Sequence, residues 1–175
     1  GEVYAKFLKQ RYGCAQCPMV CGAVLYYEDS QGNAFITHRP EYETIAAFGS
    51  NCLVDDLETI IKVNELCNRY GFDTISAGST VAFAMECYEK GILTQKDTGG
   101  LDLSWGNKEC LIPLIEMMCH RKGIGALLAD GVKAASEQLC GRSEEFAIHV
   151  GGQEPAMHDP RCWPGFGYGY EFDPT

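Results

Sequence analysis

Three cysteines within eight residues carry the strongest chemical signal in the chain. They stand in the segment Cys14-Ala-Gln-Cys17-Pro18-Met-Val-Cys21-Gly22, spaced C-x2-C-x3-C. Thiolates this close together can clasp one metal centre. Zinc asks for four tetrahedral ligands, usually as two paired knuckles, and no second C-x-x-C follows downstream. A thioredoxin-like redox pair would use Cys14 and Cys17 in a βαβ setting, which is missing, and would leave Cys21 without a role. An iron–sulfur cluster takes three close cysteines and a remote fourth, with Pro or Gly beside the ligands so that backbone amides approach the sulfurs. Pro18 and Gly22 suit that third reading best, and zinc remains the incomplete alternative. Within the chain, Cys52, Cys110, Cys140 and Cys162 are formal candidates for the fourth ligand. A cysteine outside this segment is the better expectation.

The elements that must hold this cluster are read from periodicity and turn chemistry. Residues 2–10 read as a short helix running into Arg11-Tyr12-Gly13. After the cysteine segment, AVLYYED at 23–29, a turn at 30–33 and AFITHR at 34–39 read as a hairpin. Beyond Pro40 the chain turns helical, with a short helix over 41–51. Residues 55–70 place Leu57, Ile60, Ile61, Leu66, Cys67 and Tyr70 on one broad face, and Gly71 ends that helix. Residues 73–90 are apolar almost all round, which predicts the most buried helix. A polar loop over 94–106 leads to a helix over 107–121, capped by Asn107 and awkward at Pro113. One or two short helices fill 124–139, broken near Gly131. A strand is expected over 146–150. From Gly151 on, Gly, Pro and aromatics dominate without periodicity. The fold class is mainly α, with one small β-hairpin near the N-terminus. The expected organisation is a helical domain over 1–150 and the start of a further, truncated domain over 151–175.

Composition narrows the function classes. Of 175 residues, 46% are hydrophobic and 22% charged, which is globular composition. Fourteen Lys and Arg face 24 Asp and Glu, a net charge of −10. A nucleic-acid or anionic-membrane binder needs the opposite balance, and no apolar run approaches a membrane span. The ten cysteines do not form a disulfide framework of a small, loop-rich secreted domain. Cys67, Cys87 and Cys119 sit in apolar helical patterns and read as small buried hydrophobes. The pattern fits a reducing cytoplasm. The chain opens on Gly1 and is expected to be a piece of a larger protein.

Several ordered blocks carry a resemblance. The cysteine segment is followed by Pro40-Glu41-Tyr42-Glu43-Thr44, by Gly49-Ser50-Asn51-Cys52, and by Asn68-Arg-Tyr-Gly71-Phe72-Asp73. Met85-Glu86-Cys87-Tyr88-Glu89-Lys90-Gly91, Arg121-Lys122-Gly123-Ile124-Gly125 and His158-Asp159-Pro160-Arg161 come next. In order and spacing, from about residue 12 to 175, these resemble the tungsten-containing aldehyde ferredoxin oxidoreductases. The stretch corresponds to that family's second domain and the start of its third. The N-terminal pterin-binding β domain and the C-terminal remainder lie outside it.

The resemblance implies a cytoplasmic, anaerobic oxidoreductase that converts a small aldehyde to its carboxylic acid. It implies a tungsten (or molybdenum) bis-pterin, a [4Fe–4S] cluster, ferredoxin as electron acceptor and a homodimeric parent. Cys14, Cys17 and Cys21 match the family's first three cluster ligands, and its fourth sits in a later block that this chain does not reach. Asn68, Gly71 and Asp73 match a pterin-contacting D-x-x-G-L-D block, with Asn for the first Asp and Phe for Leu. Asp73 reads equally as a helix N-cap. The family's interface E-x-x-H metal pair falls on Lys62-Val-Asn-Glu65, so no such metal is expected.

The resemblance also implies an acidic residue near the metal in the P-E-Y-E block. Glu41 and Glu43 are the candidates, and Glu43 fits the family's spacing to Asp73 slightly better. A carboxylate in a dry site there would accept a proton. The bland alternative is a pair of acids in a helix's first turn. His158 is a candidate proton relay, or a loop hydrogen-bonding residue. The run from Trp163 to Tyr170 either lines a substrate channel or packs against other domains. The parent is expected to be active and the isolated chain inactive, with its cofactor sites empty or partly loaded. The alternative readings are an electron-transfer cluster module of a related enzyme such as an aromatic acyl-CoA reductase, and a zinc-stabilised interaction domain.

Overall fold

The computed structural model describes residues 2–28, 32–139 and 141–172. The turn at 30–33 lies partly outside these residues, and Cys140 wholly so. The chain divides into two compact units, residues 1–41 and 42–175.

The first unit is a three-stranded antiparallel sheet. β1 (Leu8–Tyr12) pairs with β2 (Gly22–Glu28), which pairs with β3 (Ala34–His38). The expected hairpin is β2–β3. The helix expected over 2–10 is corrected: a 3-10 turn covers Glu2–Phe7 and gives way to β1. In LKQRY only Leu8 and Tyr12 are large and apolar, too little to hold a helix against pairing with β2, which takes the extended backbone instead. β2 alternates inward Ala23, Leu25 and Tyr27, each at most 2% exposed, with less buried neighbours. Phe7 and Phe35 flank Tyr27 at ring-centroid distances of 5.4 and 5.1 Å, which closes this small core.

The second unit is helical. α1 (Tyr42–Ile45) runs into a π-helical turn over Ala46–Ser50. α2 (Leu57–Tyr70) starts on Asp56, whose side chain accepts a hydrogen bond from the Thr59 amide at 2.8 Å, and stops at Gly71 with φ +73°. α3 (Thr74–Glu89) is the buried helix the sequence predicts, with Val81, Ala84, Met85 and Cys87 fully enclosed. A 3-10 turn over Lys108–Cys110, capped by Asn107, leads into α4 (Leu111–Cys119). Pro113 falls in the first turn of α4, where a missing N–H costs nothing. α5 (Ile124–Leu128) and α6 (Gly131–Leu139) are the two short helices broken near Gly131.

Two expectations are corrected near the end. Residues 146–150 form no strand: a 3-10 turn covers Gly141–Phe146, and Val150 makes only an isolated bridge to Gln153. Beyond it α7 (Pro164–Phe172) is helical although its sequence lacks a helical stripe. Pro164 opens it at the position where proline is pre-organised for a helix, and none of its described residues is buried. Among the described residues no helix is long and apolar enough to cross a membrane.

Candidate functional site

The thiol segment is the β1–β2 loop, residues 13–21, and its ends are tied. Tyr12 pairs with Gly22 across the strands, and a Cβ on Gly22 would lie 2.6 Å from the Tyr12 ring. The ring therefore lies on the glycine, and any side chain there would displace it. Tyr12 Oη bonds His38 Nδ1 at 2.8 Å, and the Arg39 guanidinium donates to the Cys21 carbonyl. Inside the loop, the Cys17 amide donates to the Cys14 carbonyl at 3.0 Å. Gln16 and Val20 hold φ of +62° and +46°, which costs a non-glycine residue roughly 1–2 kcal/mol each. The three thiols are all exposed and free.

Among the described residues no three Cys, His, Asp or Glu side chains converge as a metal ligand set. The donor chemistry nevertheless fits an iron–sulfur group: three soft thiols on one short loop whose two ends are strapped. The formal in-chain candidates for a fourth ligand fare differently. Cys52 and Cys110 are buried in the helical core, and Cys162 is exposed. Burial, with Cys110 nearby, pushes the Cys52 thiol up to about 12. Of the cysteines read as buried hydrophobes, Cys67 and Cys87 are fully enclosed and Cys119 is half-buried.

The carboxylate candidates separate. Glu41 is exposed and faces Arg39 at 3.7 Å. Glu43, in the first turn of α1, reaches the segment before α7. Its Oε2 accepts from the Met157 amide at 2.7 Å, and its Oε1 lies 2.7 Å from His158 Nδ1. The latter is a close approach without an aligned hydrogen bond, and Nδ1 is buried. Nε2 is left as the ring nitrogen able to exchange a proton. The imidazole lies between Phe166, stacked at 5.1 Å, and Tyr42, tilted at 5.1 Å, while Tyr42 Oη donates to the Met157 carbonyl at 3.2 Å. Two aromatic walls and a carboxylate thus fix the ring. Glu154 anchors the same segment: it is 6% exposed and accepts from the Val132 amide at 2.6 Å. Gly131 is required there, since a Cβ would sit 2.7 Å from Glu154 Oε1.

His158 and Tyr42 open onto a cavity of about 750 Å³ whose further wall includes Phe83, Glu86, Trp105 and Phe146. That volume lies within the range of small-molecule sites. A second cavity, about 320 Å³, is lined by Gly71, Phe72, Asp73, Ser76, Asp130 and Glu154 among others. Asp73 caps α3, its Oδ2 accepting from the Ser76 amide at 2.7 Å, and remains exposed. Both readings of Asp73 are therefore compatible: one oxygen caps and the other is free to accept from a ligand N–H. Gly71 has open space above its α-carbon, which suits close approach of a flat ring. Asn68 is exposed one turn earlier on α2 and does not line this cavity.

Sequence reasoning missed Tyr42, Met157 and Phe166 as partners of the Glu43–His158 pair, and Trp105 in a loop read only as polar. Their local patterns signal nothing, because the contacts join segments far apart in the chain. The aromatic run from Trp163 to Tyr170 was the one usable hint.

Comparison with known proteins bears on these sites. A family model described as aldehyde ferredoxin oxidoreductase, domains 2 & 3, matches residues 1–175. The chain is 40% identical over 167 residues to a tungsten-containing aldehyde ferredoxin oxidoreductase of Thermococcus kodakarensis, covering 95% of this chain and 27% of that protein. It is 30% identical over 162 residues to the WOR-like subunit of an aliphatic sulfonate oxidoreductase of Pyrococcus furiosus, covering 89% of this chain and 25% of that protein. Among solved structures, it is similar to the active-site complex BamBC of benzoyl coenzyme A reductase in complex with 1,5 dienoyl-CoA. There the TM-score is 0.71 at 29% identity, over 85% of this chain and 22% of that one.

Proposed function

The chain belongs to the aldehyde ferredoxin oxidoreductase family, and from that premise we propose that it is part of an enzyme oxidising aldehydes to carboxylic acids with ferredoxin as electron acceptor. It spans about a quarter of its curated relatives' length, so the reaction belongs to the longer protein. We assign residues 1–150 to the helical domain carrying the thiol loop and residues 151–175 to the start of the next. A cytoplasmic enzyme suits nine described cysteines that are all free thiols; a homodimer follows the family expectation.

The observation that carries the reading is the Glu43–His158 pair at the cavity. Oxidising an aldehyde with water to a carboxylic acid releases two electrons and two protons. A tungsten (or molybdenum) bis-pterin, when bound, supplies the redox chemistry, and a [4Fe–4S] cluster held by Cys14, Cys17 and Cys21 carries electrons onward. The protons need acceptors on the protein. His158 Nε2 takes one, and the Glu43 carboxylate, set against Nδ1, stabilises the cation that forms. Tyr42 and Phe166 keep the ring in place. Glu43 thus takes precedence over Glu41, whose exposed carboxylate faces Arg39. Asp73 and Gly71 present one wall to the pterin, and Asn68 is the weakest of the three assigned residues.

The experiment is anaerobic purification of the full-length protein, metal analysis, and assay of aldehyde-dependent ferredoxin reduction. We expect tungsten and iron with turnover, and a loss in kcat of about 10²-fold or more for Glu43→Gln. The similarity to the benzoyl coenzyme A reductase complex favours one second reading, an electron-transfer module for aryl acyl-CoA reduction. Acyl-CoA reduction without aldehyde turnover would select it. Zinc in place of iron would instead leave an interaction domain.

A further inference from the structure

One face of α3 joins the helical core to a cavity, with Ala82 and Phe83 almost wholly buried. Ser79, Ala82, Phe83 and Glu86 fall at i, i+3, i+4 and i+7, and all four line the 750 Å³ cavity that His158 and Tyr42 also border. The same lining includes Trp105, from the loop before α4, and Phe146, which packs on Phe83 at a ring-centroid distance of 5.8 Å. Three aromatic rings and the Glu86 carboxylate thus share a cavity that Ser79, Asn51 and Arg161 also line. Among the described residues the Glu86 carboxylate has no hydrogen-bond or ion-pair partner, although it is half-buried. An ionised carboxylate accepts hydrogen bonds and offers none, so it discriminates in favour of a ligand that brings a donor.

Resting on the aldehyde reading above, we infer that this cavity takes the non-reacting end of the substrate and selects an aromatic aldehyde carrying a hydroxyl or other donor on its ring. The ring packs against Phe83, Trp105 and Phe146, and the donor reaches Glu86. A two-carbon aldehyde would cover little of this aromatic wall and would leave Glu86 to water. Apolar area removed from water is the main source of affinity in such a site. The donor contact adds specificity, because a charged acceptor bonds more strongly than a neutral one.

The test compares 4-hydroxybenzaldehyde with benzaldehyde on the full-length holoenzyme. We expect kcat/KM about tenfold higher for the hydroxylated substrate, carried mainly in KM. Glu86→Met should bring that ratio to about one, and Glu86→Gln, which keeps an acceptor, should hold part of it. Calorimetric titration of the same two compounds reads binding without turnover. Turnover of both at equal efficiency, unaltered in ratio by either variant, overturns the inference and leaves aldehyde oxidation standing. Absent turnover, with a binding preference that Glu86→Met abolishes, supports the cavity assignment while removing the oxidation reading. Absent turnover without any binding preference removes both.

Discussion

Cys52 and Cys17 differ by environment alone. Cys52 is enclosed, its thiol directed at the Ala47 carbonyl at 3.3 Å, and burial holds it up to about 12. Cys67 and Cys87 are likewise pushed up to about 12, and Cys110 to about 11, each chiefly by burial. Cys14, Cys17, Cys21 and Cys162 are exposed. The nucleophile is the thiolate, so at pH 8 the buried group is almost wholly protonated as well as shielded. Iodoacetamide at pH 8, applied to the metal-free folded chain, should therefore modify Cys14, Cys17, Cys21 and Cys162. Cys52, Cys67, Cys87 and Cys110 should label only after denaturation. Peptide mass spectrometry over time measures this, and labelling of Cys52 at the rate of Cys17 would contradict the buried assignment.

At the scale of elements, α3 depends on a close approach that only glycine permits. A Cβ on Gly78 would lie 2.5 Å from the Ala47 Cβ and 2.8 Å from the Ala47 carbonyl carbon. Gly78→Ala gains roughly 0.5–1 kcal/mol of helix preference but forces the α1–π segment aside, and overpacking of this kind costs about 1–3 kcal/mol. The clash wins, so denaturant unfolding should show net destabilisation. The displaced segment carries Glu43, so activity of the full-length enzyme should fall with it. α2 depends instead on its cap. The Lys108 ammonium at 2.5 Å, then the Thr59 amide, hold the Asp56 carboxyl down to about 2. A depressed carboxylate contributes stability that is present above its unfolded value near 4 and lost as pH falls from about 4 to about 2. Asp56→Ala should cost about 1 kcal/mol at pH 7, a figure that already allows for solvent screening of a partly exposed pair. The gap between wild type and variant should close as the titration descends through that window.

For the whole molecule, the proposed role of the thiol loop is to hold a cluster that carries electrons for the longer protein. Serine at Cys14, Cys17 or Cys21 replaces a soft thiolate by a hard hydroxyl, and no spare cysteine stands on the loop. Each variant of the full-length protein should lose iron and sulfide together with ferredoxin reduction, while its tungsten content changes less. Full iron and a normal paramagnetic signal in all three variants would make these cysteines structural. The chain itself should fold without metal, because the core of α2, α3, α4 and α6 is apolar and contains none of the three loop cysteines. Far-ultraviolet circular dichroism of the isolated chain should be dominated by helix.

The chain's local patterns were sufficient for α2 to α6, for the β2–β3 hairpin and for the thiol loop. Each rests on contacts a few residues apart: an apolar stripe, the Asp56 cap, the Gly71 stop, the spacing of three cysteines. β1 was not legible, since an exposed LKQRY becomes a strand only when β2 lies beside it. α7 was not legible either, because a helix with no buried residue leaves no stripe. Asp73 was readable as a cap and as a ligand, and the cap is the role its contact with the Ser76 amide shows. Between Glu41 and Glu43 the spacing to Asp73 leaned to Glu43, and the contacts behind that preference lay beyond any local pattern. Only the fold brings Glu43 to His158 and the Met157 amide, and neighbours in space that are distant in sequence leave no periodic trace. The same holds for Trp105 and Phe146, which share a wall with Glu86 only after α3 has packed.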